Sequence, residues 1–191
     1  MHLKCAYLLT GLIVAVYGQN YPPPDVYWVN QYRQGFNFQC PDGEALVVIQ
    51  SYFDQNEGPD RVWSFECMPT PEDLGQVTEC WWDDIMHPGL EWYHTCTNNG
   101  IVAGIQSRYF ESVQDRDWQF LCCKYNRRCP YQCRQTTDVP EQYEEEGHFV
   151  MPQYGYFIRG AGTTFSAVSR DRQWKYIICL MTTFDCPFDN L

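Results

Sequence analysis

The 191-residue chain is strongly acidic, with 13 Lys and Arg against 24 Asp and Glu, and 17% of its residues are aromatic. A formal net charge of −11 argues against a nucleic-acid binder and against general attraction to heparin-like polymers. Beyond the N-terminus no stretch approaches the about 18 apolar residues of a membrane helix. The sequence also contains no nucleophile elbow, phosphate-binding loop or calcium loop.

The first 18 residues are typical of a secretory signal peptide. Lys4 supplies a positive charge, residues 6–16 form a short apolar run, and Gly18 is a small residue at a plausible cleavage point. Cleavage after Gly18 would expose Gln19, which can cyclise to pyroglutamate. The mature protein is therefore predicted to be secreted into the extracellular space, with no membrane span.

Residues 19–27 contain three successive prolines and no periodic apolar pattern, which predicts a polyproline-like N-terminal tail. Tyr21 and Tyr27 lie near Asp25, and secreted tyrosines beside acidic residues can be sulfated. Both tyrosines are therefore candidates for sulfation. The folded domain is expected to begin at Trp28 and to extend to residue 191.

A six-residue motif occurs three times in this domain and sets its organisation. The copies begin at Asp60, Asp115 and Asp171, so their starts are 55 and 56 residues apart. A fixed period of this length predicts three structural units. The units cover about 28–79, 80–135 and 136–191.

Each copy of the motif is expected to form a β-strand, because its side chains alternate with period two. One face of every copy carries an arginine and a tryptophan, and an aspartate starts the strand. These candidate site residues are Asp60, Arg61 and Trp63; Asp115, Arg116 and Trp118; and Asp171, Arg172 and Trp174. In one interpretation these are core strands whose arginines stack on aromatic rings or pair with aspartates. In the other, the three guanidinium groups form a shared binding site for carboxylate or sulfate.

Other segments repeat with the motif and indicate β-structure. Residues 46–49 and 101–105 are equivalent buried strands, and Asn99-Gly100 is a strong hairpin signal. No segment has a convincing helical pattern, and the acidic segment 141–146 is either a solvated loop or a patch for a cation or basic partner. The predicted fold class is all-β: a single disulfide-bonded domain, barrel- or sandwich-like, built from three pseudo-repeats of about 55 residues.

The cysteines follow the repeat. Eleven are present, and Cys5 would leave with the signal peptide, so an even number remains in a secreted chain and predicts disulfides throughout. Equivalent positions in the first two units predict the bonds Cys40–Cys67 and Cys96–Cys122. The other six cysteines allow several connectivities. The predicted connectivity for these six is Cys80–Cys129, Cys133–Cys179 and Cys123–Cys186.

Carboxylates and histidines do not form a recognisable catalytic or metal site. Asp83 and Asp84 follow two tryptophans, as carboxylates do in glycosidase clefts, but neighbouring residues on a strand point to opposite faces. The three histidines of the folded domain lack metal-ligand spacing; they are His87, His94 and His148. The sequence therefore predicts no catalytic residue, no metal ligand and no cofactor.

Two aromatic pairs are the best candidates for a recognition surface, namely Trp81-Trp82 and Trp92-Tyr93. Adjacent aromatic residues on a strand cannot both face one core layer, so at least one of Trp81 and Trp82 is expected at the surface or under a loop. The alternative is burial beneath a disulfide-tied loop.

Several segments together resemble the dermatopontin family of secreted, tyrosine-rich extracellular-matrix proteins. The three Asp-Arg-X-Trp hexamers are that family's hallmark, and the resemblance covers nearly the whole mature chain. Further matching segments are Trp28-Val29-Asn30, Arg33-Gln34-Gly35-Phe36, Cys67-Met68-Pro69-Thr70-Pro71, Glu79-Cys80-Trp81-Trp82, Glu91-Trp92-Tyr93, Ser107-Arg108-Tyr109-Phe110-Glu111-Ser112, Arg128-Cys129-Pro130-Tyr131 and Thr163-Thr164-Phe165-Ser166-Ala167-Val168.

The resemblance implies a non-enzymatic protein of the extracellular matrix. Members of the family associate with decorin-like, dermatan-sulfate proteoglycans and promote collagen fibril assembly. They also engage fibronectin, transforming growth factor beta and cell-surface receptors in adhesion, and self-association is possible. Some invertebrate relatives are carbohydrate-binding agglutinins, so a lectin is the alternative function.

Overall fold

The computed structural model describes residues 22–126 and 128–182. The predicted signal peptide, Gln19, Tyr21 and Cys186 lie outside these ranges. Within them the protein is all-β, as predicted, with eleven strands, one short 3-10 turn and no α-helix. The strands are β1 (Phe36–Gln39), β2 (Glu44–Asp54), β3 (Asp60–Pro69), β4 (Val77–Trp82), β5 (Trp92–Thr95), β6 (Ile101–Phe110), β7 (Asp115–Tyr125), β8 (Pro130–Gln135), β9 (Gly147–Val150), β10 (Tyr156–Ser166) and β11 (Asp171–Met181).

Three long antiparallel hairpins, β2–β3, β6–β7 and β10–β11, form the frame of the fold. The Asp-Arg-X-Trp motif starts the second strand of every hairpin, directly after the turn. The three registers correspond, because each motif arginine lies opposite an aromatic residue and each motif tryptophan lies opposite a serine or threonine. The arginine pairs are Phe53↔Arg61, Tyr109↔Arg116 and Phe165↔Arg172; the tryptophan pairs are Ser51↔Trp63, Ser107↔Trp118 and Thr163↔Trp174.

Short strands join the hairpins in a cyclic order. β1 pairs with β6, β5 pairs with β10, and β9 pairs with β2, so each hairpin receives the short strand that precedes a different hairpin. β4 and β8 pair with β7 and β11. The result is three sheets, numbered here by the hairpin that each contains: the first sheet has the strand order β3-β2-β9, the second β1-β6-β7-β4 and the third β5-β10-β11-β8.

Two glycines allow short strands to approach their hairpins closely. A Cβ atom at Gly104 would lie 2.6 Å from the carbonyl oxygen of Phe38 on β1. A Cβ atom at Gly160 would lie 2.1 Å from the carbonyl oxygen of His94 on β5. Each glycine follows a β-bulge in its hairpin. Because the colliding atoms belong to the backbone, a larger residue would push the short strand off the sheet.

The core is centred on the three motif tryptophans, which are all buried. The ring centroids of Trp63 and Trp118 are 4.9 Å apart, those of Trp63 and Trp174 are 5.6 Å apart, and those of Trp118 and Trp174 are 4.6 Å apart. All three pairs are edge-to-face, an arrangement that sets the positive edge of one ring against the negative face of the next. One tryptophan from each hairpin therefore meets the other two at the centre.

Four disulfides are formed between described residues. Cys40–Cys67, Cys96–Cys122 and Cys133–Cys179 agree with the predicted pairs. The fourth is Cys80–Cys123, so the predicted pairs Cys80–Cys129 and Cys123–Cys186 are wrong. Cys80 on β4 lies directly opposite Cys123 on β7, and this register could not be deduced from chain spacing alone. Cys129 is also disulfide-bonded.

The turn at Asn99-Gly100 forms, but the hairpin predicted from it does not. Asn98 and Asn99 have left-handed backbone, with φ of 49° and 60°, and the Gly100 N–H donates to the Thr97 carbonyl at 2.9 Å. The flanking strands β5 and β6 belong to different sheets, because β5 pairs with β10 while β6 lies between β1 and β7. The tertiary pairing overrides the local preference for a hairpin.

Candidate functional site

The motif arginines and aspartates form three buried ion pairs, each between different hairpins. Arg61 binds Asp171 through Nε–Oδ1 and Nη2–Oδ2 contacts of 2.6 and 2.7 Å. Arg116 binds Asp60 at 2.7 and 2.6 Å, and Arg172 binds Asp115 at 2.9 and 2.5 Å. Every hairpin thus gives its arginine to one neighbour and its aspartate to the other, and the six side chains form a closed set that we call the Asp–Arg ring.

Three loops complete the Asp–Arg ring with backbone groups. The N–H groups of Arg33, Gly89 and Glu144 donate to Asp60, Asp115 and Asp171 at 2.6, 2.6 and 2.7 Å. In each loop the carbonyl of the following residue accepts a hydrogen bond of 2.9 Å from the arginine that pairs with the same aspartate. These carbonyls belong to Gln34, Leu90 and Glu145. The three N–H donors have left-handed φ values of 64°, 77° and 69°. Two consecutive residues of each loop therefore bridge one ion pair, the first with its N–H group and the second with its carbonyl group.

Sequence reasoning missed these loops because their residues do not resemble one another. The available signal was spacing, since the donating residue precedes its motif aspartate by 27, 26 and 27 residues. A main-chain donor and a main-chain acceptor do not require a particular side chain, so no side-chain pattern marks them.

Aromatic rings cover the guanidinium groups. Arg61 lies 5.5 Å from the ring centroid of Phe53, Arg116 lies 5.8 Å from that of Phe36, and Arg172 lies 5.1 Å from that of Phe165. Each of the three arginines is only 3% exposed. The cavity bordered by the ring has a volume of about 20 Å³, enough for a single water but not for a sulfate. The geometry favours the first interpretation of the motif, in which the arginines stack and pair inside the core.

Asp83 is held by local hydrogen bonds and does not pair with Asp84. It is buried, and it accepts backbone N–H groups from Thr97 at 2.8 Å and from Asp84 at 3.2 Å, with His94 Nε2 at 3.3 Å. Burial acts to raise the pKa of Asp83, but these donors and the nearby imidazole outweigh it, so that the pKa is lowered. The carboxylate is therefore kept ionised by structural contacts.

One group of potential metal ligands occurs among residues 22–126 and 128–182, namely Asp83, Cys96 and Cys122. Their ligand atoms lie within 4.8 Å of one another. The two sulfur atoms are bonded to each other as a disulfide, so neither can act as a thiolate ligand.

A polar groove, called here the Tyr93 groove, lies on the exposed face of the sheet β5-β10-β11-β8. Its volume is about 380 Å³. Across the sheet, Tyr93 lies opposite Gly162, and Gly162 lies opposite Lys175. The Lys175 ammonium is 3.6 Å from the Asp138 carboxylate. Tyr93 is 61% exposed and Trp92 is half-buried, so one of the two predicted recognition pairs borders this groove.

An apolar groove, called here the Met68 groove, lies at the end of the sheet β3-β2-β9. Its volume is about 210 Å³. Met68, Val150 and Tyr154 line it and are 50%, 53% and 70% exposed. Exposed apolar side chains that cluster around a groove are a feature of protein-interaction surfaces.

The other predicted sites are placed as follows. Trp81 and Trp82 are both half-buried, and the Trp81 indole N–H donates to Thr97 Oγ1 at 3.1 Å. Tyr27 in the tail is 82% exposed, and its sulfation stays a prediction. No helix among the described residues has the length and apolar character that a membrane crossing requires.

Comparison with known proteins gives a family match over most of the chain. Residues 30–184 match the Dermatopontin family. The proteins named Dermatopontin from Homo sapiens and Bos taurus are 52% and 57% identical, with the whole of both chains covered. A Hemagglutinin/amebocyte aggregation factor from Limulus polyphemus is 28% identical over 80% of this chain and 86% of its own. No solved structure matches significantly.

Proposed function

The chain belongs to the dermatopontin family, and we propose that it is a secreted, non-enzymatic adaptor of the extracellular matrix that promotes collagen fibril assembly. The observation that carries this proposal is the combination of a covalently tied frame with an exposed apolar groove. The Asp and Arg side chains that start each copy of the repeated motif are paired with one another in the buried Asp–Arg ring. The surface is therefore left to supply the contacts with partners.

The Met68 groove is the surface we assign to the collagen contact. Methionine and tyrosine are enriched at protein interfaces, because they offer large, adaptable contact areas. Met68, Val150 and Tyr154 come from β3, β9 and the segment that follows it, and they converge on one depression. A contact of this size is weak on its own, and adaptors gain strength by holding several such contacts at once.

Collagen fibril formation followed by turbidity tests the adaptor proposal. The mature protein should change the lag time or the fibril diameter, and Val150→Asp should weaken that effect. Val168→Asp is the matched control, because Val168 is 94% exposed and lies outside the groove. An unchanged time course with the mature protein would reject the adaptor function, whereas equal activity of both variants would reject only the groove.

The remaining partners proposed for this chain are decorin-like proteoglycans with their dermatan sulfate, fibronectin, transforming growth factor beta and cell-surface receptors. Because the motif arginines are buried and paired, dermatan sulfate would have to contact other residues. Substituting Arg61, Arg116 and Arg172 should therefore act through folding, and any loss of binding should follow the loss of native structure measured by circular dichroism.

Glycan binding is the second candidate function. It is favoured by the relative from Limulus polyphemus, whose name describes a hemagglutinin, and by the exposed Tyr93 beside a polar groove. Agglutination of erythrocytes by the mature protein, blocked by a simple sugar, would support this function. Absence of agglutination together with absence of binding to immobilised glycans would reject it.

A further inference from the structure

We propose that the Tyr93 groove binds a neutral pyranose sugar, with the ring of Tyr93 as the stacking surface and the Lys175–Asp138 pair as the partner of its hydroxyl groups. This inference rests on glycan binding, the second candidate function, and assigns it a place and a class of ligand. The groove volume of about 380 Å³ lies within the range of small-molecule sites, which is about 300–1,000 Å³.

Gly162 creates the floor of the groove. It lies between Tyr93 and Lys175 in the cross-strand row, and a Cβ atom there would lie 3.2 Å from the Tyr93 Cδ2 atom. The tyrosine ring therefore leans over the glycine and leaves its outer face open, with 61% of the residue exposed. Flat aromatic faces of this kind bind the apolar C–H face of a sugar ring, which resembles the packing of an aromatic on an aliphatic surface.

Polar groups opposite the tyrosine suit a ligand rich in hydroxyls. The Lys175 ammonium offers donors and the Asp138 carboxylate offers acceptors, 3.6 Å apart, so two neighbouring hydroxyls could each find a charged partner. Thr164 and Gln173 lie opposite each other in the next cross-strand row on the same face of the sheet, and they line the same groove. Hydrogen bonds to charged groups are stronger than those between neutral groups, so this end would fix the orientation of the sugar.

The charges of the groove exclude an anionic sugar. Glu91 and Asp138 contribute two carboxylates against the single ammonium of Lys175. A sulfate or uronate would be repelled by the surplus carboxylate in addition to losing hydration. We therefore assign a neutral hexose unit rather than a unit of a sulfated glycosaminoglycan chain.

The corresponding row of the second sheet is occupied by amide side chains. Asn37 stands in place of Tyr93, Gln106 in place of Gly162 and Gln119 in place of Lys175. The Gln106 amide donates to Gln119 Oε1 and accepts from Asn37 Nδ2, so side chains bridge the row that is open in the third sheet. The third sheet is thus the one of the two that combines an exposed aromatic ring with an unfilled floor.

Saturation-transfer NMR with methyl glycosides of galactose, glucose and mannose tests the assignment, with heparin-derived disaccharide as the anionic probe. Wild-type protein should bind at least one neutral glycoside saturably and should not bind the anionic probe. Tyr93→Ala should weaken that binding by about tenfold or more, since the aromatic surface is lost. Gly162→Gln, which installs the residue of the second sheet, should do the same by filling the floor.

Tyr154→Ala is the matched control, because Tyr154 is 70% exposed and belongs to the Met68 groove; its affinity for the glycoside should equal that of the wild type. Folding of each variant is checked by its thermal unfolding midpoint. If both groove variants fold and keep the wild-type affinity for the glycoside, the proposed site is wrong, although glycan binding by the protein is still supported. Stronger binding of the anionic probe would overturn the ligand class. Failure of every glycoside, together with no agglutination, would reject the second candidate function and this site with it.

Discussion

Neutralising one carboxylate of the Asp–Arg ring should destabilise the protein far more than neutralising an exposed one. In Asp60→Asn the side chain keeps its size, but Arg116 loses its bidentate charged partner while remaining 3% exposed. Of the three hydrogen bonds that the Arg116 guanidinium donates, two go to Asp60 and one goes to the Gln34 carbonyl. Leaving a buried charge without its partner costs about 3–5 kcal/mol.

Urea unfolding with the disulfides intact measures this cost. At a typical dependence of about 2 kcal/mol per molar urea, the midpoint should fall by roughly 2 M. Glu111→Gln is the matched control, because Glu111 also pairs with an arginine, Arg33, but the pair is solvent-exposed. Exposed pairs add little to stability, so the control should unfold near the wild-type midpoint. Equal midpoints for Asp60→Asn and Glu111→Gln would refute the view that the buried ring holds the hairpins together.

Three further predictions follow from the fold. Replacing Cys80 and Cys123 together with serine should lower the free energy of unfolding by about 2–4 kcal/mol, measured in urea, and an unchanged value would show that the bond adds no stability. Gly160→Ala should destabilise by about 1–3 kcal/mol through its clash with backbone, whereas Gly162→Ala should be tolerated, because its closest contact is the movable Tyr93 ring at 3.2 Å and the backbone is 3.8 Å away; equal effects on the unfolding midpoint would contradict this. Burial, followed by the charge of Asp60, raises the pKa of Tyr109 to about 12, so the stability due to its protonated form is fully present below about pH 10 and is lost as pH rises through 12. Tyr109→Phe should flatten the fall in stability over that range, and an unaltered alkaline profile would refute the assignment.

The strand content and the position of the motif could be predicted because they depend on local alternation. The motif strands β3, β7 and β11 begin at Asp60, Asp115 and Asp171, where the repeat starts. The disulfides Cys40–Cys67 and Cys96–Cys122 could also be predicted from the sequence, since equivalent positions in two units have nearly the same spacing. Local pattern and internal repetition are thus reliable guides to elements within one unit.

Contacts between segments that are distant in the chain could not be predicted in the same way. Nothing in the motif indicates that Arg61 pairs with Asp171 rather than with its own neighbour Asp60, because this choice depends on how the hairpins are arranged. The Cys80–Cys123 bond likewise depends on the register of β4 against β7. To predict the Tyr93 groove, one would need to know that Gly162 lies beside Tyr93. These two residues are distant in the chain but adjacent in the sheet.

The cyclic exchange of β1, β5 and β9 has a consequence for how the protein comes apart. A linear array of repeats can fray from either end, because its terminal units touch a single neighbour. Here each hairpin forms buried ion pairs with both of the others and also pairs with a short strand that precedes one of them, so none of the three hairpins is an end from which unfolding could begin. Unfolding of one hairpin would remove an ion-pair partner from each of the other two. An isolated fragment of about 55 residues around one hairpin would lack the short strand that pairs with that hairpin in the intact protein.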